Sequence, residues 1–155
     1  MRAFPLACAF AFAACGARTD LGTRSSAGDA APAYSALVLN TCGPADGPAI
    51  TFAIDTGAVC GGSLMQQPGT WINFWASPLP SAPGTYAIGN GKLNGSSGAQ
   101  VCTTAMCDIA TGGTLTLTEM NATAAAGSYS LDLSDGTTVA GSFTAVVCHN
   151  LPLCG

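Results

Sequence analysis

Thr114-Leu115-Thr116-Leu117-Thr118, Ser128-Tyr129-Ser130-Leu131-Asp132-Leu133 and Val139 to Cys148 decide the fold of this chain. The first two alternate polar and apolar residues with period two, which puts one face of each strand toward a core and the other toward water. Asp135-Gly136 separates the second from the third, and glycine there accepts the positive φ of a tight hairpin turn. Thr and Ser on the polar face suit a sheet with one wet side. These residues are read as an antiparallel three-strand meander.

Working toward the N-terminus, shorter apolar runs continue the pattern. Ser35 to Leu39, Ala49 to Ile54, Trp71 to Trp75, Thr85 to Ile88 and Ala99 to Thr103 read as strands, with Pro44 to Pro48 and Pro83-Gly84 as turn signals. No helical period is seen in this part of the chain beyond one turn's worth at Ser63 to Gln67. Seven or so short strands with frequent turns predict an all-β domain over residues 34–155. A small antiparallel β-sandwich is favoured, with a small β-barrel as the alternative. A ligand-holding barrel would need longer strands than these runs offer.

Composition narrows the function. Lys92 is the only basic residue from Tyr34 onward, against Asp46, Asp55, Asp108, Glu119, Asp132 and Asp135. Nucleic-acid binding needs clustered Lys and Arg to neutralise phosphates, so that class is set aside. Cys42, Cys60, Cys102, Cys107, Cys148 and Cys154 form an even set in a small domain and are read as three disulfides. Their pairing is open among fifteen arrangements, though Cys42–Cys60 is disfavoured if the flanking strands form a hairpin. There is no Cys-x-x-Cys, and His149 is the single histidine. No metal site and no cofactor are expected.

Three other features bear on chemistry. Trp71, Phe74 and Trp75 are the densest aromatic cluster; in a strand Trp71 and Trp75 share a face, which makes them a candidate binding surface for a protein or glycan partner. The segment Gly89 to Gly98 is rich in glycine but carries no phosphate-loop Gly-Lys-Thr/Ser, and reads as a surface loop. Asp55-Thr56-Gly57-Ala58, after Phe52-Ala53-Ile54, resembles the Asp-Thr-Gly-Ala loop of aspartic proteases. In that family two such aspartates share a proton and activate water, so one copy per chain implies a homodimer. Read from the residues alone, the same tetrapeptide is a strand ending in a turn.

The N-terminus carries the clearest address. Arg2 precedes the apolar run Leu6 to Ala14, and Phe12-Ala13-Ala14 leads into Cys15-Gly16. A charged start, a short apolar stretch and small residues at the cut are the parts of a secretory signal. Cysteine at the first mature position resembles the lipobox of bacterial lipoproteins; Leu6-Ala7-Cys8 is a poorer candidate with almost no apolar run before it. The resemblance implies a signal peptide over 1–14, lipid on Cys15 and a membrane anchor. Gly16 in place of aspartate suggests the outer membrane by that family's sorting rule. Residues 15–33, rich in Gly, Ala, Ser and Thr, read as a flexible tether. Further on, Ala82 to Gly89, Gly113 to Thr118, Ala126 to Leu133 and Val139 to Cys148 resemble a loose group of bacterial surface lipoproteins with no assigned activity. Together these readings predict a lipid-anchored cell-envelope protein, structural or binding rather than enzymatic, with a homodimeric peptidase working through Asp55 as the alternative.

Overall fold

The computed structural model describes residues 35–149 except 45, 62–66, 77 and 91–95. The segments read above as signal peptide and tether, with Cys15, lie outside the described residues, as does Cys154.

Eight strands form one sheet: β1 (Ala36–Cys42), β2 (Pro48–Ile54), β3 (Gly69–Phe74), β4 (Gly84–Ile88), β5 (Ser97–Cys102), β6 (Cys107–Met120), β7 (Ala124–Leu133) and β8 (Thr138–Cys148). The order is β4-β6-β5-β3-β2-β1-β8-β7, and β7 also pairs with β6, which closes the sheet on itself. The closed wall is therefore β1-β2-β3-β5-β6-β7-β8, with β4 as an added strand. Each step round it is antiparallel except β1–β8, where Ala36 to Leu39 run parallel to Ala145 to Cys148. Parity explains that exception. Seven strands that alternate in direction bring the first and the last round pointing the same way, so closure has to be parallel.

The all-β expectation and the C-terminal meander β6-β7-β8 are present. The favoured sandwich gives way to its alternative, a small barrel. The strands that close it are longer than their patterns suggested: 14 residues in β6, 10 in β7 and 11 in β8. Register shifts at Ala110/Gly112 and Leu117/Glu119 break the alternation of β6, so the period-two reading stopped at Thr114 although the strand begins at Cys107. A bulge of this kind also adds twist, which helps a short sheet to close. In β7 the continuation of the inward face is Gly127 and Ala125, residues too small to mark a period.

β4 and β5 lie end to end along one edge of β6. β5 pairs with Cys107 to Ile109, and β4 pairs with Gly113 to Leu117. Ser97, fully buried, stitches the junction: its hydroxyl accepts from the Gly89 amide at 2.9 Å and donates to the Ala87 carbonyl at 3.2 Å.

Side chains fill the barrel. Phe52, Ile54, Ile72, Leu115 and Leu131 are fully enclosed. Ring contacts link Phe143, Phe52, Phe74 and Tyr86 edge to face, with centroids 5.9 to 6.3 Å apart. Among the described residues one polar pair crosses this interior, the Tyr129 and Thr70 hydroxyls at 3.3 Å. The β6–β7 contact is close enough that a Cβ at Gly127 would strike the Thr116 carbonyl, and only glycine fits there.

Candidate functional site

The apolar surface of this barrel does not stop at its interior. Leu37 and Leu39 of β1, Ala53 of β2, Trp71 of β3, Cys102 of β5 and Cys148 of β8 form a second buried cluster. Their neighbours Ala36, Val38, Phe52, Ile54 and Ile72 belong to the inner core. Alternate residues point to opposite faces, so the second cluster lies on the outer wall. Described residues near the two ends of the β2–β3 connection, here called the strap, lie against it. Ala58 packs on the cluster, and the Trp71 indole nitrogen donates to the Gln67 carbonyl at 3.0 Å. The Cys60–Cys148 disulfide ties the strap to β8, with its Cα atoms 5.5 Å apart.

Trp71 is consequently 5% exposed. It cannot present a binding face, and its place in the expected surface is corrected. Trp75 sits just past the end of β3 and is half-buried. With Pro48, Ala76, Pro78, Leu79 and Ser81 it lines a shallow cleft of about 520 Å³. The two tryptophans are therefore not one surface. Among the described residues three large apolar side chains stand out to solvent: Val59 on the strap at 66%, Met106 at 64% and Ile109 at 57%.

Asp55 closes β2. It is exposed, with φ of 54°, and its amide donates to the Ser35 carbonyl at 2.6 Å. Asp tolerates this left-handed conformation better than most residues. The Thr56 hydroxyl is occupied locally, accepting from the Ala58 amide at 3.1 Å. Here the Asp-Thr-Gly sequence turns the chain from strand into strap. His149 is exposed at the end of β8.

Disulfide bonding, expected from the cysteine count, is present. Cys60 pairs with Cys148 and Cys102 with Cys107, and Cys42 is also disulfide-bonded. The β1–β2 hairpin puts Cys42 opposite Pro48, at the end away from the strap that carries Cys60. Among the described residues no three His, Cys, Asp or Glu side chains converge as a metal site would require.

The strap and its buried outer wall were missed by sequence reading. Their signal was available: Ala36-Leu37-Val38-Leu39 and Phe52-Ala53-Ile54 are apolar at every position, the mark of a strand covered on both faces. No known protein family, curated protein sequence or solved structure matches this chain.

Proposed function

We propose that this chain is a lipid-anchored cell-envelope protein whose barrel serves as a non-catalytic structural or binding module, held on the membrane through Cys15 and the 15–33 tether. The observation that carries this reading is the disulfide stapling of the domain, Cys60–Cys148 and Cys102–Cys107 among it. Such bonds persist in oxidising, extracytoplasmic compartments, where a lipobox-like start would deliver the chain. The packed interior supports a module that acts through its surface, because Phe52, Ile72, Leu115 and Leu131 occupy the space a lumenal ligand would need. The Trp75 cleft is the surface feature best suited to a protein or glycan partner.

The test is the intact mass of the native protein, extracted in detergent from its own membranes. The expected species begins at Cys15 and carries acyl chains, each contributing ~0.8 kcal/mol of membrane affinity per buried methylene. A free Cys15 thiol, or a mature start elsewhere, overturns the anchor. A peptide library incubated with the protein at acid pH is expected to stay intact; cleavage that Asp55→Asn abolishes would overturn the non-catalytic reading.

A further inference from the structure

We propose that Asn121, in the turn between β6 and β7, is an acceptor for an N-linked glycan. Asn121-Ala122-Thr123 is the Asn-x-Thr pattern, with no proline between, that an oligosaccharyltransferase reads on exported chains. It falls between Met120, where β6 ends, and Ala124, where β7 begins, and all three of its residues are exposed. Backbone bonds fix the turn: the Asn121 amide donates to the Ala124 carbonyl at 2.9 Å, and the Val147 amide donates to the Thr123 carbonyl at 3.0 Å. The inference rests on the export part of the proposed function, and not on the lipid or on a binding role.

The Asn121 side chain is set for such a transfer. Its Oδ1 accepts from the Thr123 amide at 2.9 Å, the Thr123 hydroxyl at 3.1 Å and the Ala124 amide at 2.9 Å. Its Nδ2 donates to Glu119 Oε1 at 2.7 Å, which uses one of two protons. Donors on Oδ1 and a carboxylate on Nδ2–H ease the loss of a nitrogen proton, because the charge left behind rests on Oδ1. The co-reactant is an oligosaccharide joined through its anomeric carbon to a lipid diphosphate. Nδ2 attacks that carbon and the N–C bond forms. The C–O bond to the diphosphate breaks, the lipid diphosphate leaves with the bonding pair, and an Nδ2 proton passes to a base of the transferase. Nothing is oxidised or reduced.

The folded turn accommodates the product. Nδ2 keeps one N–H, which can hold Glu119, and Oδ1 keeps its three donors. Residues 121–123 are all exposed, so a sugar there adds bulk on the solvent side and displaces no core side chain. The sequence holds a second Asn-x-Ser/Thr pattern, Asn94-Gly95-Ser96, whose Asn94 lies outside the described residues. Lys92 stands two positions before it, where Asn121 has Glu119. The carboxylate on the acceptor nitrogen therefore has no counterpart at that position.

The experiment uses the native protein from its own cells, digested without reduction and mapped by mass spectrometry. The Cys60–Cys148 linkage in the same digest marks exported chains, and the Cys15 peptide reports the lipid separately. The expected result is that the peptide carrying Asn121 is heavier by an oligosaccharide attached at Asn121. Asn121→Gln should lose that mass. Thr123→Ala, which keeps the asparagine, should lose it too, whereas Thr123→Ser, which restores the hydroxyl, should keep it. Sugar on Asn121 with no lipid on Cys15 would refute the anchor and support the glycan. Three results overturn the acceptor: an unmodified Asn121 in disulfide-bonded chains, sugar mass on this peptide that survives Asn121→Gln or Thr123→Ala, or a glycan on Asn94 with Asn121 bare.

Discussion

β1, β2 and β3 are dry on both faces over much of their length, whereas β6, β7 and most of β8 are dry on one. The contrast can be followed along β8 itself. Thr138, Ala140, Ser142 and Thr144 are exposed on its outer face; then Val146 is half-buried and Cys148 buried, where β8 begins to pair with β1 and meets the strap's disulfide. The wet wall is held by strand pairing, by its inward side chains and by outer-face hydroxyls such as Thr85 and Thr116, 3.2 Å apart. The dry wall carries a second apolar layer, and the Cys60–Cys148 disulfide ties the connection beside it to β8. Even there the dryness is local: further along β1, β2 and β3 the outer face turns polar, with Thr41, Thr51 and Asn73 joined in a hydrogen-bonded row. Layering rather than strand count thus distinguishes the halves, and the halves should answer differently to perturbation.

The largest difference is expected between the two disulfides. Cys60–Cys148 closes a span of 88 residues and Cys102–Cys107 a span of five, so the loop-closure model assigns about 4–5 kcal/mol to the first and about 2 to the second. Replacing each pair by alanine and comparing urea unfolding midpoints checks this. Equal losses would mean that the dry wall does not depend on its staple.

Next comes a comparison of outer-face side chains. Trp71→Ala removes the largest member of the buried outer layer and should cost about 3–5 kcal/mol, while Thr118→Ala on the wet wall should stay within about 0.5. If Trp71→Ala proves as mild as Thr118→Ala, the outer layer is surface and not core.

This division also governs what was legible in the sequence. The wet wall announces itself, because one-sided burial leaves alternation in Leu115, Leu117, Leu131 and Leu133. In the dry wall the strands were found, but their two-sided burial went unremarked. An unbroken apolar run fixes where a strand lies and leaves open what covers it, and here one residue that packs there, Ala58, belongs to a connection tied to β8 by a bond between residues far apart in the chain. Closure was likewise illegible. It depends on β6 continuing past a bulge into Cys107–Gly113, where the polar-apolar phase shifts, and on a parallel β1–β8 pairing that no local pattern encodes. The same reason separated Trp71 from Trp75. Their spacing puts them on one face of an ideal strand, but β3 ends at Phe74, and Trp71 alone of the two is buried, its indole on the Gln67 carbonyl.

A smaller effect tests the seam between the two regions, where β4 and β5 meet on the edge of β6. Ser97→Ala leaves the Gly89 amide and the Ala87 carbonyl without the buried hydroxyl that joins them. A loss of about 1–3 kcal/mol is expected, together with faster hydrogen exchange in β4. Exchange unchanged in β4 would show that this strand is held by its pairing to β6 alone.

The smallest effect lies in the turn that joins two strands of the wet wall. Asp135 accepts from the Thr137 hydroxyl at 2.7 Å and from the Thr137 amide at 2.9 Å, while Gly136 takes φ of 85°. These bonds, the side-chain one first, favour the charged carboxylate and lower the Asp135 pKa below its ordinary value. A carboxylate depressed in the folded state contributes stability above its unfolded pKa of about 3.9, and that contribution fades as pH falls through the folded value. The group is fully exposed, so solvent screens the effect and it should be slight. NMR titration of the Asp135 side chain should place its midpoint below the unfolded value. The stability difference between the wild type and Asp135→Asn, which keeps an accepting oxygen but cannot ionise, should shrink on acidification. A midpoint at or above the unfolded value would show that the turn rests on Gly136 and the Leu133–Thr137 backbone bond at 2.8 Å, with the carboxylate a bystander.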